Sequence, residues 1–163
     1  MTQPMKIGVI SDTHGYLDPR IPQIFKGVEH ILHGGDIGPA SLILELEQIA
    51  PVTAVLGNTD AGLDVPETER VELNGQRFFL HHIVEVHALG KVLSRQPAGE
   101  KPTAVIFGHT HKPHQQIIDG MLFLNPGYAG KQRFNLPRSV AILECAPTML
   151  RVEFVALSGP GAS

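Results

Sequence analysis

The first third of the chain repeats one unit, in which a short apolar segment is followed by a polar loop and a helix-like segment. The apolar segments span residues 6–11, 30–33 and 52–56, and the helix-like segments span residues 19–25 and 42–49. Short apolar runs of this kind are typical of buried strands, and strands that alternate with helices form parallel sheets. The pattern therefore predicts an α/β fold.

Residue types also predict where these two helices begin. Asp18 and Ser41 carry side-chain oxygens of the kind that accept hydrogen bonds at helix N-termini. Pro19 suits the first helical position, because its missing N–H group would have no partner there. We therefore expect Asp18 and Ser41 to be the N-caps of the two helices.

The rest of the chain carries the signature of antiparallel strands. Asn74-Gly75 and Asp119-Gly120 each separate two apolar segments, and such dipeptides favour the two-residue turns of hairpins. Further elements are expected as a helix at 85–95 and as strands at 70–73, 77–80, 104–107, 116–118, 121–124, 139–144 and 150–156. We predict a single domain over residues 1–163, with a core from 5 to 157, a frayed tail at 158–163, and two facing mixed sheets with helices outside.

Composition excludes several classes of protein. The longest apolar runs have strand length, so no membrane span is expected, and the lack of a charged leader before Lys6 favours a cytoplasmic protein. The one cysteine, Cys145, lies in an apolar segment and is expected to be a buried thiol. The net charge of −3 and the scattered Lys and Arg residues argue against a large nucleic acid as a partner.

Five predicted strand ends share one feature, which is a loop that carries Asp, Asn or His. These loops are Asp12-Thr13-His14, Gly35-Asp36, Gly57-Asn58, His81-His82 and Gly108-His109-Thr110-His111. Ligands of α/β sheets bind beyond the carboxyl ends of the strands, so parallel strands would bring these side chains together. Carboxylate, amide and imidazole donors without thiolates suit Mn, Fe, Ni, Co or Zn, and do not suit a structural zinc site.

The number of candidate ligands indicates more than one ion. Seven candidates, with one of His81 and His82 counted, are too many for a single ion but suit two ions that share a carboxylate. Such a pair activates water and stabilises charge on a phosphoryl group. Each loop alone has an ordinary interpretation as a turn or a helix cap. Their joint occurrence at strand ends favours a two-metal hydrolytic site.

The same motifs resemble those of the calcineurin-like metallophosphoesterases, in particular the small single-domain YfcE-like phosphodiesterases. The family signature is D-x-H, then G-D, then G-N-[HC]-[DE], then a lone H, then G-H-x-H. Here it reads Asp12-Thr13-His14, Gly35-Asp36, Gly57-Asn58-Thr59-Asp60, His82 and Gly108-His109-Thr110-His111. The match extends over roughly the whole predicted core. The resemblance implies a four-layer α/β/β/α sandwich of two mixed sheets flanked by helices.

The resemblance also implies a position for each ligand. Asp12, His14 and His111 would hold a first metal ion, Asn58, His82 and His109 would hold a second, and Asp36 would bridge the two. Alignment of the preceding apolar strand selects His82 over His81, although this chain has Ile83 where the family usually has Gly. The implied cofactors are two divalent cations, with Mn favoured and Ni, Fe, Co or Zn as alternatives.

The activity implied by the resemblance is that of a phosphoesterase, and a phosphodiesterase in the first place. A hydroxide that bridges the two cations would attack phosphorus in line with the departing oxygen. Asp36, Asn58 and His109 are the predicted catalytic residues. The expected partner is a small phosphate-ester substrate, and hairpin edges could pair between chains to give a homo-oligomer.

One position departs from the pattern of many relatives, which have His where Thr59 stands. That His is thought to help protonate the leaving group or contact the phosphate, and a threonine hydroxyl cannot act as a general acid near neutral pH. We therefore expect a preference for esters whose leaving group needs little protonation. Asp60 is expected in a turn or behind the ligands.

Two other functions stay open. Some proteins of this fold are interaction scaffolds, so a non-catalytic metal-binding scaffold is the alternative, although the presence of all seven ligand types disfavours it. A nuclease that acts on short oligonucleotides is a further alternative. Arg133 and Arg138 could meet substrate phosphate, but surface charge is the favoured interpretation of both. Tyr128 could line the substrate pocket, and His33 is expected to pack beneath the site.

Overall fold

The computed structural model describes residues 3–157, which form ten strands and three helices. The strands are β1 (Met5–Ile10), β2 (His30–His33), β3 (Val52–Ala54), β4 (Thr68–Leu73), β5 (Gln76–His81), β6 (Ala104–Ile106), β7 (His114–Ile118), β8 (Met121–Asn125), β9 (Ser139–Ala146) and β10 (Met149–Ala156). The helices are α1 (Ile21–Ile24), α2 (Ala40–Glu47) and α3 (Val86–Ser94). The predicted frayed tail at 158–163 lies outside the described residues.

The strands form two five-stranded mixed sheets. The first has the order β10-β9-β1-β2-β3, in which β1, β2 and β3 are parallel and β9 runs antiparallel to β1 and β10. The second has the order β4-β5-β6-β8-β7, in which β5, β6 and β8 are parallel and the edge strands are antiparallel. The predicted α/β class with two mixed sheets is confirmed. Each sheet therefore contains three adjacent parallel strands whose carboxyl ends lie at one edge.

Apolar side chains fill the spaces between four layers. Ile7 of β1 and Leu80 of β5 belong to one buried cluster between the two sheets. Phe25 and Leu46 belong to a second cluster, between the first sheet and the segments of α1 and α2. Leu93 of α3 belongs to a third, on the outer face of the second sheet. Side chains alternate between the faces of a strand, so each sheet packs on both sides.

The two predicted hairpins are confirmed. Asn74 and Gly75 connect β4 to β5 with φ angles of 49° and 84°, and Asp119 and Gly120 connect β7 to β8 with φ angles of 48° and 76°. Positive φ at both central residues is the geometry of the type I′ turn, which matches the twist of paired strands. Asn, Asp and Gly tolerate this geometry better than other residues do, which is why the sequence signal was reliable.

The predicted N-caps of the first two helices are wrong. Helix α1 begins only at Ile21, with Arg20 at the N-cap position and no side-chain cap. Helix α2 begins at Ala40, before Ser41, with Pro39 in an extended conformation (φ −71°, ψ 159°) at its N-cap. The ring of Pro39 fixes φ, so the chain enters the helix directly from this residue.

Within residues 3–157, no helix is long and apolar enough to cross a membrane.

Arg138 is buried, which contradicts its interpretation as surface charge. Its guanidinium donates to the carboxylate of Asp18 (Nη2 to Oδ2, 3.0 Å) and to the carbonyls of Gly130 and Leu157. The same carboxylate accepts from Arg20 (Nε to Oδ1, 2.9 Å). The hydrogen bonds from Arg20, which outweigh the effect of burial, hold the pKa of Asp18 far below its ordinary value of 3.8. Asp18 therefore connects the loop before α1 to Arg138 immediately before β9 and, through Arg138 and Arg20, to Leu157 after β10. Its Oδ1 also accepts from the backbone N–H of Arg20 (2.9 Å), the residue at the N-cap position of α1.

Replacement of Asp18 by Asn should lower the free energy of unfolding by about 3 to 5 kcal/mol, since it leaves the Arg138 charge buried without its partner. Because folding lowers the pKa of Asp18 from 3.8, its contribution is present above about pH 4 and is lost as the pH falls further. Urea unfolding of the wild type and of Asp18→Asn at pH 7 and at lower pH measures both effects.

The matched control is Glu144→Gln, which breaks an ion pair of Glu144 with Arg151 (3.1 Å) on the surface. The side chains of Glu144 and Arg151 are 41% and 71% exposed, so the free energy of unfolding of this variant should fall by less than about 1 kcal/mol. Equal losses in the two variants would contradict a special role for the buried pair.

Candidate metal centre

The loops that follow the parallel strands are joined to one another by backbone hydrogen bonds. The N–H of Asp12, after β1, donates to the carbonyl of Gly35, after β2 (2.9 Å). The N–H of Gly108, after β6, donates to the carbonyl of His82, after β5 (3.0 Å). The polar loops of each sheet are thus fixed against each other at the edge where the parallel strands end.

Three predicted histidine ligands surround one carboxylate oxygen from each of two predicted aspartate ligands. Oδ1 of Asp12 lies 3.4 Å from Nε2 of His111, 3.8 Å from Nε2 of His82 and 3.9 Å from Nε2 of His14. Oδ2 of Asp36 lies 3.3 Å from Nε2 of His82 and 3.7 Å from Nε2 of His14. Two overlapping triplets, Asp12–His14–His111 and Asp12–Asp36–His82, each place one ligand atom per residue within 4.8 Å of the others.

Three polar atoms in this cluster are buried without a hydrogen-bond partner. They are Oδ1 of Asp12, Nε2 of His14 and Nε2 of His82. Buried polar atoms nearly always have a partner, because an unpaired one costs the full penalty of removal from water. Divalent cations would supply that partner, so the residues present fit the predicted metal site.

The remaining atoms of these side chains are already oriented. Nδ1 of His82 donates to the carbonyl of Gly34 (2.7 Å), so its proton is on Nδ1 and the lone pair of Nε2 points into the cluster. Oδ1 of Asp36 accepts from the N–H of Thr59 (2.9 Å), which leaves Oδ2 for the cluster. Oδ2 of Asp12 accepts from the N–H of His109 (3.1 Å). The ligand atoms are therefore selected by hydrogen bonds to their neighbours.

Asn58 and His109 lie on the open side of the cluster. Nδ1 of His109 is 3.0 Å from Oδ1 of Asn58, and the His109 ring packs edge-on to His82 with centroids 5.3 Å apart. His81, by contrast, forms a hydrogen bond with the hydroxyl of Thr68 (2.8 Å). The structure therefore brings His82 and not His81 into the cluster, and it places Asn58 and His109 beside the two triplets.

Five of the seven predicted ligands have backbone conformations that side chains other than Gly rarely adopt. The φ angles are 57° at Asp12, 46° at His14, 56° at Asp36, 75° at His109 and 63° at His111. Each such residue costs of the order of 1–2 kcal/mol, and this strain persists only where surrounding contacts impose it. Its concentration in these loops indicates that ligand geometry is maintained at the expense of stability.

Burial and hydrogen bonding act differently on the two carboxylates. Burial raises the pKa of Asp12, against the opposing effect of its hydrogen bond from Ser11. Burial also acts to raise the pKa of Asp36, but hydrogen bonds from Thr59 outweigh it, and the pKa is lowered. Burial lowers the pKa of His111, which favours the neutral imidazole that binds metal ions.

Asp60 holds the loops after β2 and β3 together. Its carboxylate accepts hydrogen bonds from the backbone N–H groups of Ile37 (2.9 Å), Gly38 (3.1 Å) and Gly57 (2.9 Å). These contacts position the segment that carries Asp36 relative to the segment that carries the predicted ligand Asn58. The expectation that Asp60 lies in a turn behind the ligands agrees with this geometry.

His33 packs beneath the cluster, as its place in the strand predicted. Its Nδ1 accepts from the N–H of Gly35 (3.1 Å), so Nε2 carries the proton and donates to the hydroxyl of Thr13 (3.0 Å). That hydroxyl donates in turn to the carbonyl of Ile37 (2.8 Å). Full burial lowers the pKa of His33 to about 3 and keeps it neutral. Sequence reasoning missed Thr13, which differs in no way from an ordinary loop threonine.

Tyr128 forms one wall beside the cluster. Its ring centroid lies 4.8 Å from that of His111 and 6.3 Å from that of His14, and its hydroxyl donates to the carbonyl of Lys131 (2.8 Å). The guanidinium of Arg133 lies 5.5 Å from the Tyr128 centroid. Because Tyr128 is only 1% exposed, it supports the histidine rings more than it presents a surface to substrate.

This geometry agrees with a comparison of the chain with protein families. The calcineurin-like phosphoesterase superfamily domain matches residues 5–148. The chain belongs to this superfamily. The family predicted from the sequence motifs is thus confirmed, and superfamily members of this kind use divalent metal ions.

Curated relatives of similar size carry the names of enzymes. A probable metallophosphoesterase from Methanothermobacter thermautotrophicus is 34% identical over 96% of this chain and 95% of its own length. Phosphodiesterase YfcE from Escherichia coli is 28% identical over 86% of this chain and 88% of its own length. Among solved structures, Vps29 from Entamoeba histolytica complexed with Zn²⁺ has a TM-score of 0.75 and 23% identity, over 94% of this chain and 100% of that one. The last likeness shows the fold alone.

Replacement of Asp60 by Ala should lower the free energy of unfolding by at least about 2 kcal/mol, because hydrogen bonds to a charged group contribute roughly 1.5–3 kcal/mol each. Three backbone N–H groups would lose their acceptor. The measurement is urea unfolding, followed by calorimetric titration of Mn²⁺ into the folded variant. We expect metal affinity to fall as well, since the loops after β2 and β3 lose their common anchor.

Asp64→Ala is the matched control, because Asp64 is an exposed carboxylate of the following loop. It should change neither the free energy of unfolding nor the affinity for Mn²⁺ by more than experimental error. A normal metal affinity in Asp60→Ala would contradict the positioning role, even if stability fell.

Proposed function

We propose that this chain is a metal-dependent phosphodiesterase that uses two divalent cations. The observation that carries the proposal is the trio of buried atoms on Asp12, His14 and His82 that lack hydrogen-bond partners and face one another. A protein without a bound cation at this place would leave a carboxylate oxygen and two imidazole nitrogens unpaired. Membership of the superfamily and the names of the relatives support hydrolysis of phosphate esters.

We assign the ligands as the resemblance implied. Asp12, His14 and His111 would hold one ion, Asn58, His82 and His109 would hold the other, and Asp36 would bridge them. Oδ2 of Asp36 lies within 3.7 Å of Nε2 atoms from both groups, which supports a bridging role. Manganese is the favoured metal, because carboxylate, amide and imidazole donors without thiolates accept it readily.

When bound, the two cations would lower the pKa of water and offset the negative charge that builds on the phosphoryl oxygens. The chain itself supplies orientation. The Gly34 carbonyl holds the ring of His82, and the N–H of Thr59 holds the carboxylate of Asp36. Asn58 and His109 lie on the exposed side, where a small phosphate ester can approach in line with the attacking oxygen.

The presence of Thr at position 59 predicts which leaving groups are favoured. Thr59 is exposed beside Asp36, and its hydroxyl cannot deliver a proton as a general acid near neutral pH. The departing oxygen must therefore leave as an anion or take its proton from water. We propose a preference for diesters with stable leaving groups.

Hydrolysis of bis(p-nitrophenyl) phosphate by metal-stripped protein should be restored by Mn²⁺, and by Ni²⁺, Zn²⁺ or Mg²⁺ to different extents. Asp36→Asn should lose activity by more than about a hundredfold, because even partners behind metal ligands are worth roughly 10–100-fold. Parallel titration calorimetry should show two Mn²⁺ ions bound to the wild type and fewer to the variant.

The control for this experiment is His87→Ala, which removes an exposed histidine of α3 and should leave both activity and stoichiometry unchanged. p-Nitrophenyl phosphate in the same assay measures the preference for diesters over monoesters. No turnover with any metal, in protein shown to be folded and metal-loaded, would refute the enzyme and favour the non-catalytic scaffold.

Leaving-group dependence provides a second test. The wild type should cleave methyl p-nitrophenyl phosphate much faster than methyl phenyl phosphate. Thr59→His should raise the rate with the phenyl ester by at least about tenfold, because general acid catalysis contributes roughly 10²–10⁴-fold. Thr59→Asn, which adds a polar side chain that cannot donate a proton as an acid, should not. A similar gain in both variants would show that proton donation is not the missing function.

A further inference from the structure

Two adjoining cavities extend from the candidate metal centre along the second sheet. The inner cavity, of about 350 Å³, is lined by the predicted ligands Asn58 and His82 and by the side chains of Leu56, Glu67, His81 and Ile83. The outer cavity, of about 420 Å³, shares His81 and Ile83 with it and continues to α3. Together the two cavities form one groove that begins at the ligands of the proposed second ion.

The outer cavity of this groove is lined mainly by apolar side chains, several of which pack against the core. Phe79, Val84 and Leu89 line the outer cavity and pack against the buried cluster beneath α3. Ile83 and Val92 complete its walls and are 52% and 58% exposed, so both present apolar surface to the groove. A concave apolar surface joined to a few polar groups is the ordinary form of a site for a small ligand.

The charges along the groove discriminate between ligands. Glu67 lines the inner cavity and Glu85 lines the outer cavity, while among the described lining residues none is Lys or Arg. Arg70 lies over the ring of Phe79 (5.0 Å to the centroid), but it donates to the carbonyl of Glu100 and does not line the groove. Asp60 also lines the inner cavity, and Glu85 caps α3 by accepting from the N–H of Ala88 (2.6 Å). A ligand with a second anionic group would therefore meet carboxylates here and no cationic side chain among the described lining residues.

We propose that this groove binds one ester substituent of the substrate, and that this substituent is apolar and carries no further negative charge. The inference rests on the proposed function, because the phosphate group must lie at the metal ions for its substituent to enter the groove. Diesters with an alkyl or aryl group fit this description, whereas diesters with additional phosphate or carboxylate groups do not. Ile83, at the junction of the two cavities, and Val92 are the residues that determine this specificity.

Calorimetric titration of Mn²⁺-loaded protein with three phosphonates tests the proposal without turnover. The probes are methylphosphonate, hexylphosphonate and 5-carboxypentylphosphonate, which share the anionic head and differ in the chain. Hexylphosphonate should bind at least tenfold more tightly than methylphosphonate, because each buried methylene is worth up to about fourfold in affinity. 5-Carboxypentylphosphonate should lose most of that gain, since its terminal charge would meet the carboxylates of the groove.

Ile83→Ser and Val92→Ser should each reduce the affinity ratio of hexylphosphonate to methylphosphonate to less than about a third of the wild-type value. Both side chains are half exposed, so these variants should fold, and the ratio within one variant cancels any change at the metal ions. Leu44→Ser is the matched control, because Leu44 is a 61% exposed residue of α2, on the other sheet. It should leave the ratio unchanged.

Three outcomes would overturn the inference in different ways. If no phosphonate binds the metal-loaded protein, the proposed phosphate site fails and the groove loses its role with it. If methylphosphonate and hexylphosphonate bind equally, the phosphate site stands but the groove does not bind the substituent. If the chain lengths bind equally and light scattering shows a dimer that Val92→Ser dissociates, the groove is an interface between two copies of this chain.

Discussion

The buried carboxylate of Asp12 is the group on which the rest of the site depends. It is fully buried, and hydrogen bonds from Ser11 and from the backbone of His109 satisfy only Oδ2. An isolated carboxylate in such a place is costly, and burial accordingly raises its pKa. Imidazole nitrogens of three histidines lie within 3.9 Å of its free oxygen, and each can present a lone pair to a cation. The loops thus converge on a place where positive charge is needed and the chain supplies little of its own.

The loops hold this arrangement through contacts that contribute nothing to chemistry directly. The carboxylate of Asp60 accepts hydrogen bonds from three backbone N–H groups. His33 connects the loop of Asp36 to that of Asp12 through the hydroxyl of Thr13. Five of the predicted ligands in these loops have positive φ angles, which cost stability. The two sheets provide the rigid support that makes such strain tolerable. Orientation of ligands by buried neighbours is what distinguishes a prepared metal site from a chance cluster of acidic and basic groups.

In the proposed phosphodiesterase, the candidate ligands and the groove belong to different parts of the molecule. The ligands would hold the phosphate group, and nothing in them distinguishes one substituent from another. The half-exposed apolar side chains beyond His82 belong to α3 and to the loop before it. One fold hosts several functions, and the likeness to Vps29 shows the fold alone; the unpaired atoms of the site are what indicate a bound cation in this chain.

The sequence by itself determined the features that depend on local chemistry. Positive φ at Asn74-Gly75 and Asp119-Gly120 follows from residue type, and the seven ligand candidates were identified because strand ends at one edge of a sheet converge. The helix starts were mistaken at Asp18 and Ser41, because α1 begins only at Ile21 and α2 begins directly after Pro39. Arg138 and Asp18 lie 120 positions apart, so no local pattern could reveal their contact. Only the tertiary structure decided which carboxylate oxygens stay unpaired and where the groove runs, because burial depends on which distant segments pack together.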